Sequence, residues 1–361
     1  MPMVSKFLKL AMLGAFTALA SGCGSSSPSF SLLPASQSFQ QTQGVFNNKL
    51  DILWVVDNSG SMQPFQQNVA NNFSSFISSF QSKGYDFHIG ITTTDAYRAG
   101  TAFQNNATLS LLRDGTNATS HTGVFIMLPN TPNLNSVFVT DALQGANGSG
   151  DERAFSSFRE TLNNPGNSGF LRANSFLAVI ILSDEDDFSS NTRSEGSLAV
   201  PDHDYAYSGL DTVASYVSYL DTLTSSTGAT RRYDVSAIEV LDQNCYNSHY
   251  AASGGNTIIG QRYIDLATQT NGVTADICSA SYATALDQIQ TRIAELSTQF
   301  ILNRTPIQSS IVIHVNGVLI NNDPTNGWTY NPAANSIVFH GTAIPPQNAA
   351  INVNFDPTTI Q

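Results

Sequence analysis

The stretch Asp51–Met62 limits the possible fold more than any other part of the chain. It contains the apolar run Ile52–Val56, which has no alternating polar face. Such an unbroken run is typical of a strand buried on both faces, as in parallel sheets. The run stops at Asp57, and Ser59 and Ser61 follow at alternate positions. One carboxylate and two hydroxyls are hard oxygen ligands, which suit Mg²⁺, Mn²⁺ or Ca²⁺ better than zinc or copper.

A plain polar turn is the other interpretation of these residues, because Asp, Asn, Ser and Gly are common turn formers. The rest of the chain favours the metal site. Helical spacing of apolar residues follows in 65–80, and Tyr85–Thr92 predicts a second strand. This β-α-β order predicts parallel strands joined by a right-handed crossover. Further strands are predicted at Gly123–Leu128, Ser136–Thr140 (one of these two at an antiparallel edge), Asn174–Leu182, Tyr233–Val240 and Gly272–Ile277.

Strands that alternate with helices predict an α/β fold with a doubly wound, mostly parallel sheet. In such sheets, ligands bind beyond the carboxyl ends of the strands, where the strand order reverses. The motif D-x-S-x-S at Asp57 resembles the metal-ion-dependent adhesion site (MIDAS) of a von Willebrand factor A (vWA) domain. The resemblance spans about residues 48–302 and implies the strand order 3-2-1-4-5-6. In that order Asp57 and Asp184, which follows another buried strand, face each other across one crevice.

The vWA pattern also has a threonine five residues ahead of a small–apolar pair. Counting back from Ala154-Phe155 places Ser149 there, so the hydroxyl is kept and a methyl is lost. Asp184 stands where the family has its last aspartate, although S-D-E-D-D replaces the usual T-D-G. The resemblance therefore implies five metal-site residues, with Mg²⁺ favoured and Mn²⁺ or Ca²⁺ as alternatives. These residues are Asp57, Ser59, Ser61, Ser149 and Asp184.

The implied function is metal-dependent adhesion. A cation held by hydroxyls and few carboxylates keeps net positive charge and an open position, which an acidic side chain of a partner protein can fill. Candidate partner contacts from neighbouring loops are Asp95, His203, Tyr205 and Tyr207. Glu185, Asp186 and Asp187 allow a second cation, but a solvated acidic loop is the preferred interpretation.

The N-terminus predicts export. Lys6 and Lys9 form a short positive region, the segment from Leu8 to Leu19 is otherwise apolar, and small residues lead to Cys23, the order of a secretory leader at 1–22. L-A-S-G-C resembles a bacterial lipobox, which implies lipidation of Cys23 and a tether over 23–47. Because Gly24 is not an aspartate, an outer-membrane lipoprotein is expected, facing either the periplasm or the cell surface. Ordinary secretion with an unmodified cysteine is the alternative.

Cys245 and Cys278 are the remaining cysteines. In an oxidising compartment an even pair predicts one disulfide, with two buried thiols as the alternative. The pattern changes again after residue 302. Alternating apolar residues flank Asn316-Gly317, which predicts a two-residue β-hairpin turn. A small all-β module at 303–361 is therefore expected, which packs on the vWA-like domain or borrows strands from 30–46.

Composition excludes some function classes. A formal net charge of −12 with 15 Lys and Arg disfavours binding to nucleic acid or anionic lipid, so membrane contact is expected through the lipid anchor only. The chain has no G-x-x-x-x-G-K-[ST], no G-x-S-x-G and no H-E-x-x-H. The sequence thus predicts a non-enzymatic adhesion lipoprotein of a bacterial envelope. The alternative is an envelope assembly scaffold that binds another envelope component.

Overall fold

The structure is a computed structural model that describes residues 39–43, 49–116, 121–190, 207–226, 230–251, 257–346 and 348–359 of the 361. Several predictions lie outside these residues, namely the leader at 1–22, lipidation of Cys23 and the contacts of His203 and Tyr205. All described residues belong to one unit, Ser38–Gln361. Within them, no helix combines the length and the apolar character needed to cross a membrane.

Nineteen strands and helices make up the described chain, with short 3₁₀ turns between some of them. In chain order they are β1 (Phe39–Gln43), β2 (Lys49–Val56), α1 (Gln63–Ser82), β3 (Asp86–Thr93), α2 (Leu134–Ala142), α3 (Ala154–Asn163), β4 (Phe176–Leu182), α4 (Val213–Leu223), β5 (Tyr233–Glu239), α5 (Gln243–Tyr250), α6 (Gln261–Thr270), β6 (Thr274–Asp276), α7 (Ala283–Ser297), β7 (Phe300–Ile301), β8 (Val312–Val315), β9 (Val318–Ile320), β10 (Trp328–Asn331), β11 (Ser336–Phe339) and β12 (Ile351–Phe355). The first half alternates strands with helices, and the part after α7 contains strands.

Five parallel strands form the central sheet in the order β3-β2-β4-β5-β6. β2 lies between β3 and β4, so that Leu53 pairs with Gly90 on one side and Val179 on the other. The chain moves outward from β2 to β3 and then returns to β4 on the other side of β2. This sheet confirms the predicted doubly wound α/β fold, and the strand order reverses between β2 and β4.

Alternate side chains of β2 enter two apolar layers. Ile52 and Trp54 pack in the layer that also contains α1, α2 and α7. Leu53 and Val55 pack in the opposite layer, against α3, α4 and α6. Burying each such side chain contributes about 1.5–3 kcal/mol, so a run without polar residues is needed on both faces. The apolar run therefore fixes β2 as a central strand.

The prediction of a strand at Ser136–Thr140 is wrong, because these residues lie in α2. Phe138 stacks on Phe73 of α1 with ring centroids 3.5 Å apart, and it meets Trp54 edge-on at 5.6 Å. The buried residues of this segment, at positions 134, 138, 141 and 142, recur at the spacing of one helix face. Tertiary packing of this face favours the helix over a strand.

The predicted strand at Gly123–Leu128 is reduced to a bridge. Within the described part of the chain, Met127 makes one antiparallel bridge with Ile89 of β3. The bridge lies at the outer edge of the sheet, where the sequence placed an antiparallel strand. The vWA strand order 3-2-1-4-5-6 is thus matched by the bridge at Met127 followed by β3, β2, β4, β5 and β6. The bridge takes the place of the strand that is third in the family's chain order.

Two antiparallel sheets follow α7, in the orders β1-β12-β8-β9 and β10-β11-β7. The pairing of β1 with β12 confirms that the C-terminal part borrows a strand from residues before 47. Asn316 and Gly317 join β8 to β9 with positive φ of 51° and 80°, as the predicted two-residue turn requires. Inner side chains of these sheets belong to the same apolar layer as α7. The domain boundary at 302/303 stays a prediction.

Candidate metal centre

Two acidic turns meet at the carboxyl ends of β2 and β4. The backbone N–H of Asp57 donates to the carbonyl of Leu182 at 2.9 Å, so the turns start side by side. Asp57 and Asp184 are both fully buried. The structure therefore brings together the two aspartates that the sequence assigned to one crevice.

Burial changes the chemistry of Asp57. Removal from water, and next the negative charge of Asp184, raise the pKa of Asp57 to about 8. Two hydrogen bonds oppose this shift. The Asp57 Oδ1 atom accepts from the Ser59 N–H at 2.8 Å, and Oδ2 accepts from the Ser183 hydroxyl at 2.7 Å. Two buried carboxyls that repel each other are the electrostatic setting in which a bound cation lowers the free energy most.

The serines of the D-x-S-x-S turn lie together. The Oγ atoms of Ser59 and Ser61 are 3.5 Å apart. Ser59 is buried and Ser61 half-buried, so the hydroxyl pair lies at the mouth of the crevice. The turn exposes Gly60, where an added Cβ would meet nothing within 4 Å. These hydroxyls can supply neutral oxygen ligands.

The loop that carries Ser149 is fastened to this turn. Gly148 N–H donates to the Asn58 carbonyl at 2.7 Å. Asp95 joins the same two loops, because its Oδ2 accepts from the Asn58 side chain and its Oδ1 from the Ser149 N–H, each at 3.2 Å. Asp95 thus bridges the two loops that border the crevice. A contact between Asp95 and a partner stays a prediction.

Gln66 forms a third connection between the Asp57 turn and the loop before Ser149, which was not predicted from the sequence. Its buried side-chain amide donates to the carbonyls of Asp57 at 2.7 Å and Gly145 at 2.8 Å. Its Oε1 accepts from the Gly145 N–H at 3.1 Å. A polar residue on the buried face of α1 is the signal that could have identified it.

Glu152 is the acidic residue that the sequence analysis overlooked. It is 1% exposed, and neither carboxylate oxygen has a hydrogen-bond partner among the residues that the structure describes. Burial, and after it the charge of Asp57, raises the pKa of Glu152 well above its usual range. The sequence feature that could have identified Glu152 is its position three residues after Ser149. A divalent cation would compensate this buried carboxyl group as well.

Asp184 presents one free oxygen. Its Oδ2 lies 2.5 Å from His249 Nε2, while its buried Oδ1 has no hydrogen-bond partner in the described part of the chain. The Asp184 backbone carbonyl accepts from the Thr257 hydroxyl at 2.7 Å. An orphaned carboxylate oxygen on Asp184, whose charge also acts on Asp57, fits a hard divalent cation. The role of the five predicted residues as ligands stays a prediction.

The acidic loop after Asp184 is not solvated, contrary to the expectation. Asp186 is buried and its Oδ1 accepts from the Arg262 N–H at 2.9 Å, in the first turn of α6. Asp187 is also buried, pairs with the Arg262 guanidinium at 3.2 Å and accepts from the Phe155 N–H. These carboxylates hold α3 and α6 in place, so they are structural.

Tyr207 and a group that contains two cysteines are the other candidate features. Tyr207 is half-buried and its ring lies over Gly209, so a partner contact of Tyr207 stays a prediction. Cys245, Cys278 and Asp276 form a compact group of metal-ligand types among the described residues. The cysteines are joined by a disulfide, which confirms the predicted pair and leaves no thiolate for a metal.

Comparison with known proteins finds likenesses among solved structures. No protein-family model matches the chain, and no curated protein matches it. The open conformation of the pilus adhesin SpaC from Lactobacillus rhamnosus GG is 14% identical with a TM-score of 0.40, and the match covers 88% of this chain and 40% of that chain. Proximal thread matrix protein 1 from the mussel byssus is 11% identical with a TM-score of 0.37 and coverages of 74% and 52%.

A further structure of the mussel protein has a zinc-occupied MIDAS motif and also gives 11% identity and a TM-score of 0.37. The chain spans about half or less of the length of these neighbours. The function proposed below therefore rests on the geometry of the crevice.

Proposed function

We propose that the chain is a vWA-type binding protein that holds a divalent cation between β2 and β4 and captures an acidic side chain of a partner protein. The observation that carries the proposal is the orphaned, buried Oδ1 of Asp184, in a turn that starts side by side with the turn of Asp57, Ser59 and Ser61. Hydroxyl ligands neutralise little of the cation charge, so an acidic group is the ligand that such a centre attracts.

Three parts of the centre have distinct tasks. Ser59, Ser61 and Ser149 would supply hydroxyl oxygens, and Asp184 would supply the anionic oxygen at the crevice floor. The bound cation would supply positive charge at an open coordination position. Asp57, whose oxygens are both occupied by hydrogen bonds, orients the turn. A bound cation would favour the ionised forms of Asp57 and Glu152, whose pKa values burial raises.

The favoured cation is Mg²⁺, because hydroxyl and carboxylate oxygens are its usual protein ligands. Mn²⁺ and Ca²⁺ share this preference for oxygen and are the alternatives. We further propose a non-enzymatic role at a bacterial outer membrane, with the chain anchored through Cys23. The sequence patterns of the leader and the lipobox support this location.

The test uses purified residues 24–361 and titrates Mg²⁺, Mn²⁺ and Ca²⁺ by calorimetry and thermal unfolding. Saturation at 100 times the dissociation constant stabilises the folded state by about 2.7 kcal/mol. Asp184→Ala is expected to abolish this stabilisation, whereas the exposed Asp287→Ala on α7 is the matched control and should retain it. A chain that no divalent cation stabilises would refute the metal centre.

The second stage immobilises the protein and exposes it to intact cells and envelope extracts, with Mg²⁺ or with EDTA. Capture that requires both the cation and Asp184 is the expected result. Capture from intact cells supports an adhesin, and capture from extracts alone supports a partner within the envelope. Capture that persists in EDTA would contradict the metal-bridged mechanism.

A further inference from the structure

Two contacts hold the first turn of α5, which lies near the crevice. Its N-terminus is capped by Asp242, whose Oδ1 accepts from the N–H groups of Asn244 at 2.8 Å and Cys245 at 3.0 Å. The Cys245–Cys278 disulfide joins the helix to the segment after β6, with Cα atoms 5.6 Å apart. Both contacts fix the first turn of α5, and His249 lies one turn further along the same helix.

That position places His249 on the floor of the candidate metal centre. His249 is 9% exposed, and its Nε2 lies 2.5 Å from Asp184 Oδ2. The ring meets Phe65 of α1 edge-on, with centroids 4.9 Å apart. Since a carboxylate oxygen can only accept here, Nε2 carries the proton in this hydrogen bond.

We propose that His249 is a positioning residue that holds Asp184 so that Oδ1 is presented to the cation. This inference rests on the proposed function. A single donor on Oδ2 leaves Oδ1 free and stops rotation of the carboxylate about its Cβ–Cγ bond. Partners that orient a metal-binding side chain change metal affinity by about 10–100-fold when they are removed. No other hydrogen-bond donor to the Asp184 carboxylate is present in the described part of the chain.

Two variants separate the role of the His249 hydrogen-bond donor from that of its ring. His249→Phe keeps a ring against Phe65 and removes the N–H. His249→Gln removes the ring and keeps an amide donor at a similar reach. His314→Phe, in β8 of the C-terminal sheet, is the matched histidine control.

The experiment measures dissociation constants for Mg²⁺ and Mn²⁺ by calorimetry on residues 24–361, and unfolding midpoints without metal. His249→Phe is expected to weaken binding of both cations by about 10–100-fold. His249→Gln should recover most of the wild-type affinity, and His314→Phe should match the wild type. Recovery by the glutamine is the readout that a purely structural histidine would not produce.

Each remaining outcome overturns the inference. Wild-type affinity in His249→Phe shows that Asp184 needs no positioning. Equal losses in the phenylalanine and glutamine variants assign the effect to the ring. A loss for Mn²⁺ but not for Mg²⁺ makes His249 a direct ligand. If the wild type binds neither cation, the proposed function fails first, and the titration of the wild type identifies that case.

Discussion

Individual residues in the crevice act in two different ways. Asp57 has both oxygens committed to Ser59 and Ser183, whereas Asp184 keeps Oδ1 without a partner among the described residues. Asp95 commits its oxygens to Asn58 and Ser149 and thereby joins two loops. Of Asp57, Asp95, Asp184 and Glu152, the last two have oxygens without a hydrogen-bond partner in the described part of the chain.

The close approach of Gly148 to Asn58 is the most restrictive contact between the two loops. A Cβ at Gly148 would lie 2.5 Å from Asn58 Cγ, well inside the distance at which real atoms meet. Gly148→Ala is therefore expected to displace the Asn58 side chain, break its hydrogen bond to Asp95 and loosen the loop that carries Ser149. We predict a clear loss of Mg²⁺ affinity, measured by calorimetry.

Gly150→Ala provides the matched control, because a Cβ at Gly150 would meet nothing within 4 Å. Gly150→Ala should bind Mg²⁺ like the wild type. Equal affinities in both alanine variants would show that the spacing of these loops does not govern the centre.

Among the helices and strands, the short helix α5 connects distant parts of the chain through two of its side chains. It has eight residues. Its cysteine forms the disulfide with Cys278, and its histidine contacts Asp184. This helix is not predictable from the sequence, because Q-N-C-Y-N-S-H-Y has no clear apolar stripe. The helix forms at this place because of its cap at Asp242 and the disulfide.

Removal of the disulfide tests this element. The two cysteines are 33 residues apart, so the chain-entropy model assigns the bond about 3–4 kcal/mol of stability. Cys245→Ser with Cys278→Ser is expected to lower the free energy of unfolding by this amount in urea titrations. Mg²⁺ affinity should also fall, since His249 loses its fixed position.

Wild-type protein treated with dithiothreitol should unfold at the same urea concentration as the double variant. A reduced protein with the midpoint of the oxidised one would contradict the assigned contribution of the disulfide.

At the level of the whole molecule, the C-terminal strands complete the core next to α7. Phe300, Leu302 and Ile313 belong to the same apolar layer as the helices on that side of the central sheet. His340 Nδ1 also lies 2.8 Å from Glu295 of α7. The parallel sheet and the C-terminal sheets therefore stabilise each other.

A chain that ends at Leu302 tests this coupling. It would expose Phe300 and Leu302, and each loses about 1.5–3 kcal/mol of burial. The shortened chain is expected to unfold at lower urea than residues 24–361, which should unfold in one transition. A control that lacks only residues 360–361 should match the full chain. An unchanged midpoint in the short chain would show that the two parts are independent.

Much of the fold could be predicted because the signals are local. β2 and β4 are recognisable as apolar runs, and the turn Asn316-Gly317 identifies a hairpin. The prediction of a strand at Ser136–Thr140 was wrong, because aromatic contacts of Phe138 with other elements favour a helix. Residues such as these carry no local signal that separates a short helix from a short strand.

The sequence alone determined a doubly wound parallel sheet with Asp57 and Asp184 at the carboxyl ends of two buried strands, because hydrophobic period and the rule for parallel strands are properties of the chain itself. The strand order and the assignment of Ser149 were implied by the resemblance to vWA domains, and the role of the five residues as ligands stays a prediction. Only the tertiary structure decided that Glu152 is buried without a partner and that His249 reaches Asp184. The two contacting residues are 65 positions apart, and their meeting depends on a disulfide and on packing that no local pattern encodes.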